Sequence, residues 1–318
     1  MALVDTTASL EQRLAAHVGL HQHKLWDWDA FPASRGYPEL ARAQMRYIGA
    51  GGSPKTGDTS TLAPTRFTCS LIYLDPQRYA AVHSHEIEEI FFVQEGRLVV
   101  SWQAADDQFV DVVLGPGDLL LNPPDVPHGF RNDGPQPVIA QFMVGDPKPL
   151  SPAYKYHPNK GDPGPAFNQP LPSPDDERAR WIRHYVVRAT DVSTVWLDLA
   201  NGSRFAHQPY VLPRAQGGVV EPGHYSLEMV YLPESAATLW YRFDYEVAFM
   251  VWDGVLTVDW ADGERQATSR LARRDLVQVP AGQEFRLTNN AVGTVRAAAI
   301  VGTPSPASDL WISGRAGR

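Results

Sequence analysis

The sequence has almost no cysteine, no long apolar run and no surplus of positive charge, and each lack removes a class of protein. Cys69 is the sole cysteine, so an intrachain disulfide framework and a multi-thiolate metal site are both excluded. No stretch reaches the roughly 18 consecutive apolar residues of a membrane span. The opening MALVDTTASLEQRLAAHVGL lacks the basic-then-apolar order of a secretory signal. Lys and Arg number 28 against 36 Asp and Glu, a net charge of −8. Nucleic-acid binding usually needs a basic stripe, so no such partner is expected. What is present is a globular composition, 43% apolar and 20% charged. The 318 residues suffice for two domains of about 150 each. With 27 Pro and 25 Gly, both helix breakers, the chain suits short strands joined by turns. The expectation is a cytoplasmic, β-rich protein of two domains with no membrane partner.

Along the chain, residues 8–22 carry Leu10, Leu14 and Val18 at helical spacing, with Thr7 or Ser9 as cap, and predict one short helix. Trp26, Trp28 and Phe31 form an aromatic patch whose simplest role is packing. From Phe67 the segments FTCSLIYL, EIFFVQ, RLVVSW, FVDVVL, DLLLN and VIAQFMV are short, apolar and bounded by turn residues. That pattern predicts a sandwich or barrel. Residues 146–178 are proline-rich and without periodicity, as in a linker or crossover. Most informative is an internal repeat. At an offset of 158, Tyr73 meets Tyr231, Gly96 meets Gly254 and Trp102 meets Trp260. At 157, Asp118 meets Asp275, Pro123 meets Pro280 and Asn132 meets Asn289. The chain therefore reads as an N-terminal helix and arm (1–59), a β domain (60–148), a linker and crossover arm (149–214), a second copy of the domain (215–304) and a tail (305–318).

Within HSHEIEEIFFVQEG, His83, His85 and Glu89 sit at i, i+2 and i+6, which places them on one face of a strand. Ile87, Phe91 and Val93 share that face and mark it as buried. Two imidazoles and a carboxylate on an apolar face are costly unless compensated, and a divalent cation compensates them. His128, after the turn NPPDVP, is placed to close the site from another strand. Glu88 alternates outward and reads as a solvated charge, and Cys69 as a buried small side chain. His17, His21 and His23 have no carboxylate or thiolate nearby and read as surface or interface histidines.

These residues closely resemble the cupin superfamily. Its first motif, G-x5-H-x-H-x3,4-E-x6-G, is matched by His83, His85, Glu89 and Gly96, with Gln77 at the opening Gly. Its second, G-x5-P-x-G-x2-H-x3-N, is matched by Gly117, Pro123, His128 and Asn132, with Asp125 at the middle Gly. The resemblance implies an all-β chain of two tandem cupin (jelly-roll) barrels. It implies one divalent metal per chain on His83, His85, Glu89 and His128, with Fe(II) favoured and Mn, Ni, Zn and Cu as alternatives. In the second repeat Tyr241, Phe243, Val247 and Phe285 replace the four ligands, so that barrel is expected to hold no metal.

The inferred site wall, Ile87, Phe91, Val93, Trp102, Phe130 and Phe142, is apolar, and the nearest cations in sequence are Arg66, Arg97 and Arg131. An apolar pocket suits an aromatic or hydrophobic oxygenated substrate. The leading expectation is an Fe(II) dioxygenase resembling the aromatic- and diketone-cleaving cupins. It takes O2 and a phenolic or diketone-like small molecule, with Glu89 as ligand and candidate base. The alternatives are a non-redox metal-dependent isomerase, cyclase or lyase, and a non-catalytic small-molecule-binding bicupin. Strands QMRYIG and VSTVWLDL in the arms suit a neighbouring molecule's sheet edge, so a homodimer or larger homo-oligomer is expected.

Overall fold

A computed structural model describes residues 8–55, 58–105, 108–160 and 177–313. Thr7 as a cap, linker residues 161–176 and the end of the tail, 314–318, lie outside the described residues. The chain divides into two compact units, Lys24–Val192 and the described part of Met1–His23 with Ser193–Arg318. None of its described helices is long and apolar enough to cross a membrane.

The N-terminal helix is shorter than its periodicity predicts. Helix α1 spans Leu10–Ala15 and opens on Ser9 with a capping box. The Ser9 hydroxyl accepts from the Gln12 amide, and the Gln12 side chain accepts from the Ser9 amide. Leu10 and Leu14 are buried. Val18, placed on the same helical face by spacing, instead lies in strand β1 (Val18–Gly19). There it pairs with Val277, so pairing with an open sheet edge prevails over continued helix in this apolar stretch.

The Lys24–Val192 unit is built from β2 (Ala43–Ile48), β3 (Thr68–Leu74), β4 (Tyr79–Ser84), β5 (Glu89–Glu95), β6 (Leu98–Ala105), β7 (Gln108–Leu114), β8 (Leu119–Asn122), β9 (His128–Arg131), β10 (Val138–Val144), β11 (Ala153–Tyr154) and β12 (Val186–Val187). Antiparallel pairing arranges them as a six-stranded sheet, β12-β8-β5-β10-β3-β2, and a five-stranded sheet, β11-β4-β9-β6-β7. Side chains from both sheets, among them Phe91, Val93, Val100, Trp102, Phe130 and Phe142, share one core. Helix α2 (Glu177–Arg183) adds Ile182 to that core and sets Trp181 edge-on to Trp102. The proline-rich composition of the preceding stretch gave no sign of this helix.

The other unit consists of α1, β1, β13 (Val195–Asp198), β14 (Arg204–Val211), β15 (Ser226–Leu232), β16 (Val247–Asp253), β17 (Leu256–Asp262), β18 (Arg265–Leu271), β19 (Leu276–Val279), β20 (Glu284–Thr288) and β21 (Val295–Val301). Its sheets run β1-β19-β16-β21-β15-β14-β13 and β18-β17-β20. The fold is all-β: two tandem jelly-roll barrels with a short N-terminal helix.

The repeat extends to hydrogen bonds. Asn132 donates its amide to the carbonyls of Leu74 and Gln136 at 3.1 and 2.8 Å. Asn289 does the same to Leu232 and Gly293 at 3.0 and 2.6 Å. The two departures from the glycine motif keep its backbone. Gln77 has φ 60° and Asp125 φ 61°, the left-handed region glycine would adopt. Gly96, with φ 77°, admits no substitute: an added Cβ would lie 2.4 Å from the Pro137 carbonyl oxygen.

Both arm strands pair on one side with a strand of their own unit and form the edge of its sheet. Gln44 lies opposite Ile72 in β3, and Trp196 lies opposite Ala206 in β14. An unpaired edge is satisfied by the closest available strand, and here each arm is that strand.

Candidate metal centre

The four motif residues come from three strands and a turn, not from one continuous strand face. Strand β4 ends at Ser84, a bend holds His85, and β5 begins at Glu89 in the other sheet. His128 opens β9 and lies opposite His83 in the ladder. The barrel brings all four together where its two sheets meet. Their ligand atoms lie within 4.8 Å of one another, and all four residues are buried.

The hydrogen bonds fix which atoms face inward. His83 Nδ1 lies 2.7 Å from the Ala81 carbonyl, and His128 Nδ1 lies 2.9 Å from the Val126 carbonyl. A carbonyl only accepts, so each Nδ1 carries a proton, which leaves each Nε2 as the atom available to the cluster. Burial, followed by the charges His128 and His85 would carry, pushes the His83 pKa well below its ordinary value. Burial lowers that of His85 as well, against the opposing pull of Glu89. The neutral imidazole is the ligating form.

Glu89 Oε2 stands 3.1 Å from His128 Nε2 and 3.5 Å from His85 Nε2. Such a contact is met by a proton between imidazole and carboxylate or by a cation that both ligate. The Nδ1 of His85 is buried without a hydrogen-bond partner among the described residues. Three imidazoles and one carboxylate, their ligand atoms converging, fit a divalent transition metal. Asn122 supports Glu89 from behind. Its Nδ2 donates to the Glu89 carbonyl at 3.3 Å, and its Oδ1 accepts from Trp102 Nε1 at 2.7 Å.

A small cavity of about 20 Å³ opens beside His83, His85 and Glu89. Phe130 and Phe142 line it, as the sequence suggested. Phe91 lies behind them, stacked on Phe142 at 4.0 Å and edge-on to His128 at 5.7 Å. Ile87 sits half-buried in the bend, and Val93 and Trp102 lie in the core; none of these three lines the cavity.

Five residues of the wall, Phe31, Arg42, Gly51, Gly52 and Pro152, come from outside the expected barrel; of these only Phe31, as part of an aromatic patch, stood out in the sequence. Phe31 and Arg42 arrive on the N-terminal arm, and Pro152 follows β10. The expectation of a cavity without a cation therefore fails. Arg131 turns away to Asp111 and Asp133, and Arg66 and Arg97 are exposed, whereas Arg42 faces the cavity. The available signal was the alternation Arg42, Gln44, Arg46, a polar face on a strand with no solvent-facing explanation. Glu88, expected to face solvent, is 2% exposed. It precedes β5 at a point where the bend, not strand alternation, sets side-chain direction.

In the other unit, Tyr241, Phe243, Val247 and Phe285 belong to one apolar cluster with Trp311. Tyr241 and Phe243 stack at 5.5 Å, and Phe285 meets Phe243 at 5.4 Å. Rings and a branched aliphatic stand where imidazoles and a carboxylate would be needed. Of the N-terminal histidines, His17 bonds the Arg13 carbonyl and leans on Trp260. Among the described residues the only group of three or more potential ligands is that of His83, His85, Glu89 and His128.

The fold is thus two tandem jelly-roll barrels, with the cluster of His83, His85, Glu89 and His128 in the Lys24–Val192 unit. Residues 70–145 match the family model for the cupin domain, Cupin_2. The chain is similar to an acireductone dioxygenase of Bacillus pumilus, 33% identical over 64 residues, covering 20% of this chain and 36% of that protein. It is also similar to one of Bacillus cytotoxicus, 36% identical over 58 residues, covering 18% and 34%. The match thus spans about a third of the length of these curated relatives. Among solved structures, an oxalate decarboxylase of Bacillus subtilis superposes with a TM-score of 0.63 at 12% identity over 92% of this chain and 78% of that one. Hazelnut (Corylus avellana) vicilin superposes with 0.60 at 10% identity over 90% and 85%. At these identities the two structures establish the shared fold.

Proposed function

We propose that the chain is a metal-dependent enzyme, an Fe(II) dioxygenase that cleaves a phenolic or diketone-like small molecule with O2. The observation that carries the reading is the convergence of three imidazoles and one carboxylate within 4.8 Å beside an aromatic-lined cavity. The likeness to acireductone dioxygenases supports it. In this reading His83 and His128 hold the metal through Nε2, with His85 and Glu89 completing the set. When bound, Fe(II) supplies open positions at which O2 and a substrate oxygen meet. The protein's own groups do the rest. Glu89 is the one carboxylate in reach to take a proton from a substrate hydroxyl. Phe130 and Phe142 hold the substrate body and exclude water. In the net reaction a carbon–carbon bond breaks and both oxygen atoms enter the product. O2 is the oxidant and the substrate the reductant, so no further reductant is required.

The test is metal content of protein purified without chelator, followed by anaerobic Fe(II) loading and O2 uptake on a panel of phenols and diketones. One iron per chain with products gaining two oxygen atoms supports the proposal. Turnover with Mn, Ni or Zn and no oxygen gained replaces it with a non-redox isomerase, cyclase or lyase. Metal binding without turnover of any panel member leaves a small-molecule-binding bicupin.

A further inference from the structure

Arg42 is the one guanidinium or ammonium group among the described residues lining the cavity, and it is 4% exposed. Its Nη1 donates to the Ser34 hydroxyl at 3.0 Å and to the Leu40 carbonyl at 3.1 Å. The guanidinium carbon lies 4.0 Å from the centre of the Phe31 ring, also on the cavity wall. These partners orient the group but carry no negative charge. Tyr154 and Glu89 are the groups that favour its charge electrostatically. A guanidinium stays protonated even when buried, and a buried charge is costly unless it is paired.

Charge accounting makes the consequence definite. Three neutral imidazoles and one carboxylate leave a divalent metal with one positive charge, and Arg42 adds a second. Once Glu89 serves the metal, nothing on the wall neutralises the guanidinium. The missing charge must come from what binds.

We propose that Arg42 is a substrate-binding residue that selects small carboxylic acids carrying a second oxygen donor, a hydroxyl or enol. The carboxylate pairs with the planar fork of Arg42, a geometry guanidinium favours. The second oxygen reaches the ligand cluster, and Phe130 and Phe142 flank the body of the molecule. The space beside Arg42 is only about 20 Å³, room for about one water, so the acid is a compact one whose body extends into the open mouth. The inference rests on the metal-centre reading above and narrows its substrate from apolar to anionic.

The experiment titrates the Fe(II)-loaded protein, kept anaerobic, with two matched pairs: 2-hydroxybenzoate against 2-hydroxybenzamide, and acetate against acetamide. Metal content and melting temperature are read on the same samples. The wild type is expected to prefer each acid, and Arg42→Gln to lose that preference by about ten- to a hundredfold, the ordinary worth of a hydrogen bond to a charged group. Arg42→Lys keeps the charge without the fork and is expected to retain part of the preference. A structural role alone would shift melting temperature or weaken acid and amide alike. Bound metal with no acid preference in the wild type, or a preference that survives in Arg42→Gln, overturns the role of Arg42 and leaves the metal centre standing. The wild-type comparison needs no variant and decides by itself if Arg42→Gln does not fold. A wild type that takes up no metal overturns the metal-centre reading instead, and the acetate pair then tests Arg42 independently.

Discussion

Trp311 offers the sharpest test of how the second barrel is held together. It lies ten residues past the last strand, Val295–Val301, yet it is 3% exposed. Its ring meets those of Phe205, Tyr241 and Phe243 at 5.2, 5.7 and 6.0 Å. Its Nε1 donates to the buried Glu228 carboxyl at 3.1 Å, and its carbonyl accepts from the Tyr241 hydroxyl at 2.8 Å. Trp311→Ala empties the space between rings that stand at the ligand positions of the other barrel. Deleting a buried Trp costs about 3–5 kcal/mol. Leaving the Glu228 oxygen without its donor adds about 1–3 kcal/mol. Against a domain stability of about 5–15 kcal/mol, the expected loss of at least 4 kcal/mol brings this unit close to unfolding. Urea denaturation followed by Trp fluorescence reads it, with Trp311→Phe separating the hydrogen bond from the packing. The variant is expected to show an early transition, while metal content stays that of the wild type. A loss below about 1.5 kcal/mol would refute the claim that this residue is part of the barrel core.

Other consequences are simpler to check. Glu89→Gln is nearly isosteric but removes the one carboxylate of the cluster. Its metal affinity is expected to fall by more than the about 10- to 100-fold of an outer-sphere change, read by competition with a chelating dye; unchanged affinity would remove Glu89 from the ligand set. Asn122→Leu orphans the Trp102 N–H and frees the Glu89 carbonyl. It should cost about 1–3 kcal/mol in denaturation and about tenfold or more in metal affinity, and a change in stability alone would make Asn122 purely structural. Burial pushes the Cys69 thiol up to about 12. The native protein is therefore expected not to react with a thiol reagent at pH 8 and to react once unfolded, and rapid native labelling would contradict its burial.

Much of the fold and the ligand set was legible in the sequence because both are written locally. Short apolar segments between turn residues placed the strands, and the repeat indicated a second barrel. His83, His85, Glu89 and His128 stood out because buried imidazoles and a carboxylate demand compensation. The left-handed backbone at Gln77 and Asp125 was fixed by position in a motif even though neither residue is glycine. What failed were inferences that assumed a continuous element. The face through His83 and Glu89 is broken by a bend between two sheets, and the bend also buries Glu88. The helical face reaching Val18 gives way to pairing with Val277.

The sequence by itself named the four candidate donor residues, since their chemistry and motif spacing are written in the chain. Tertiary structure decided what stands around them. Arg42 and Phe31 lie more than 40 residues before His83, and only the pairing of the arm strand with Thr68–Leu74 carries them to the cavity. No local pattern records such a distant contact, because it depends on which sheet edge the folded barrel leaves open.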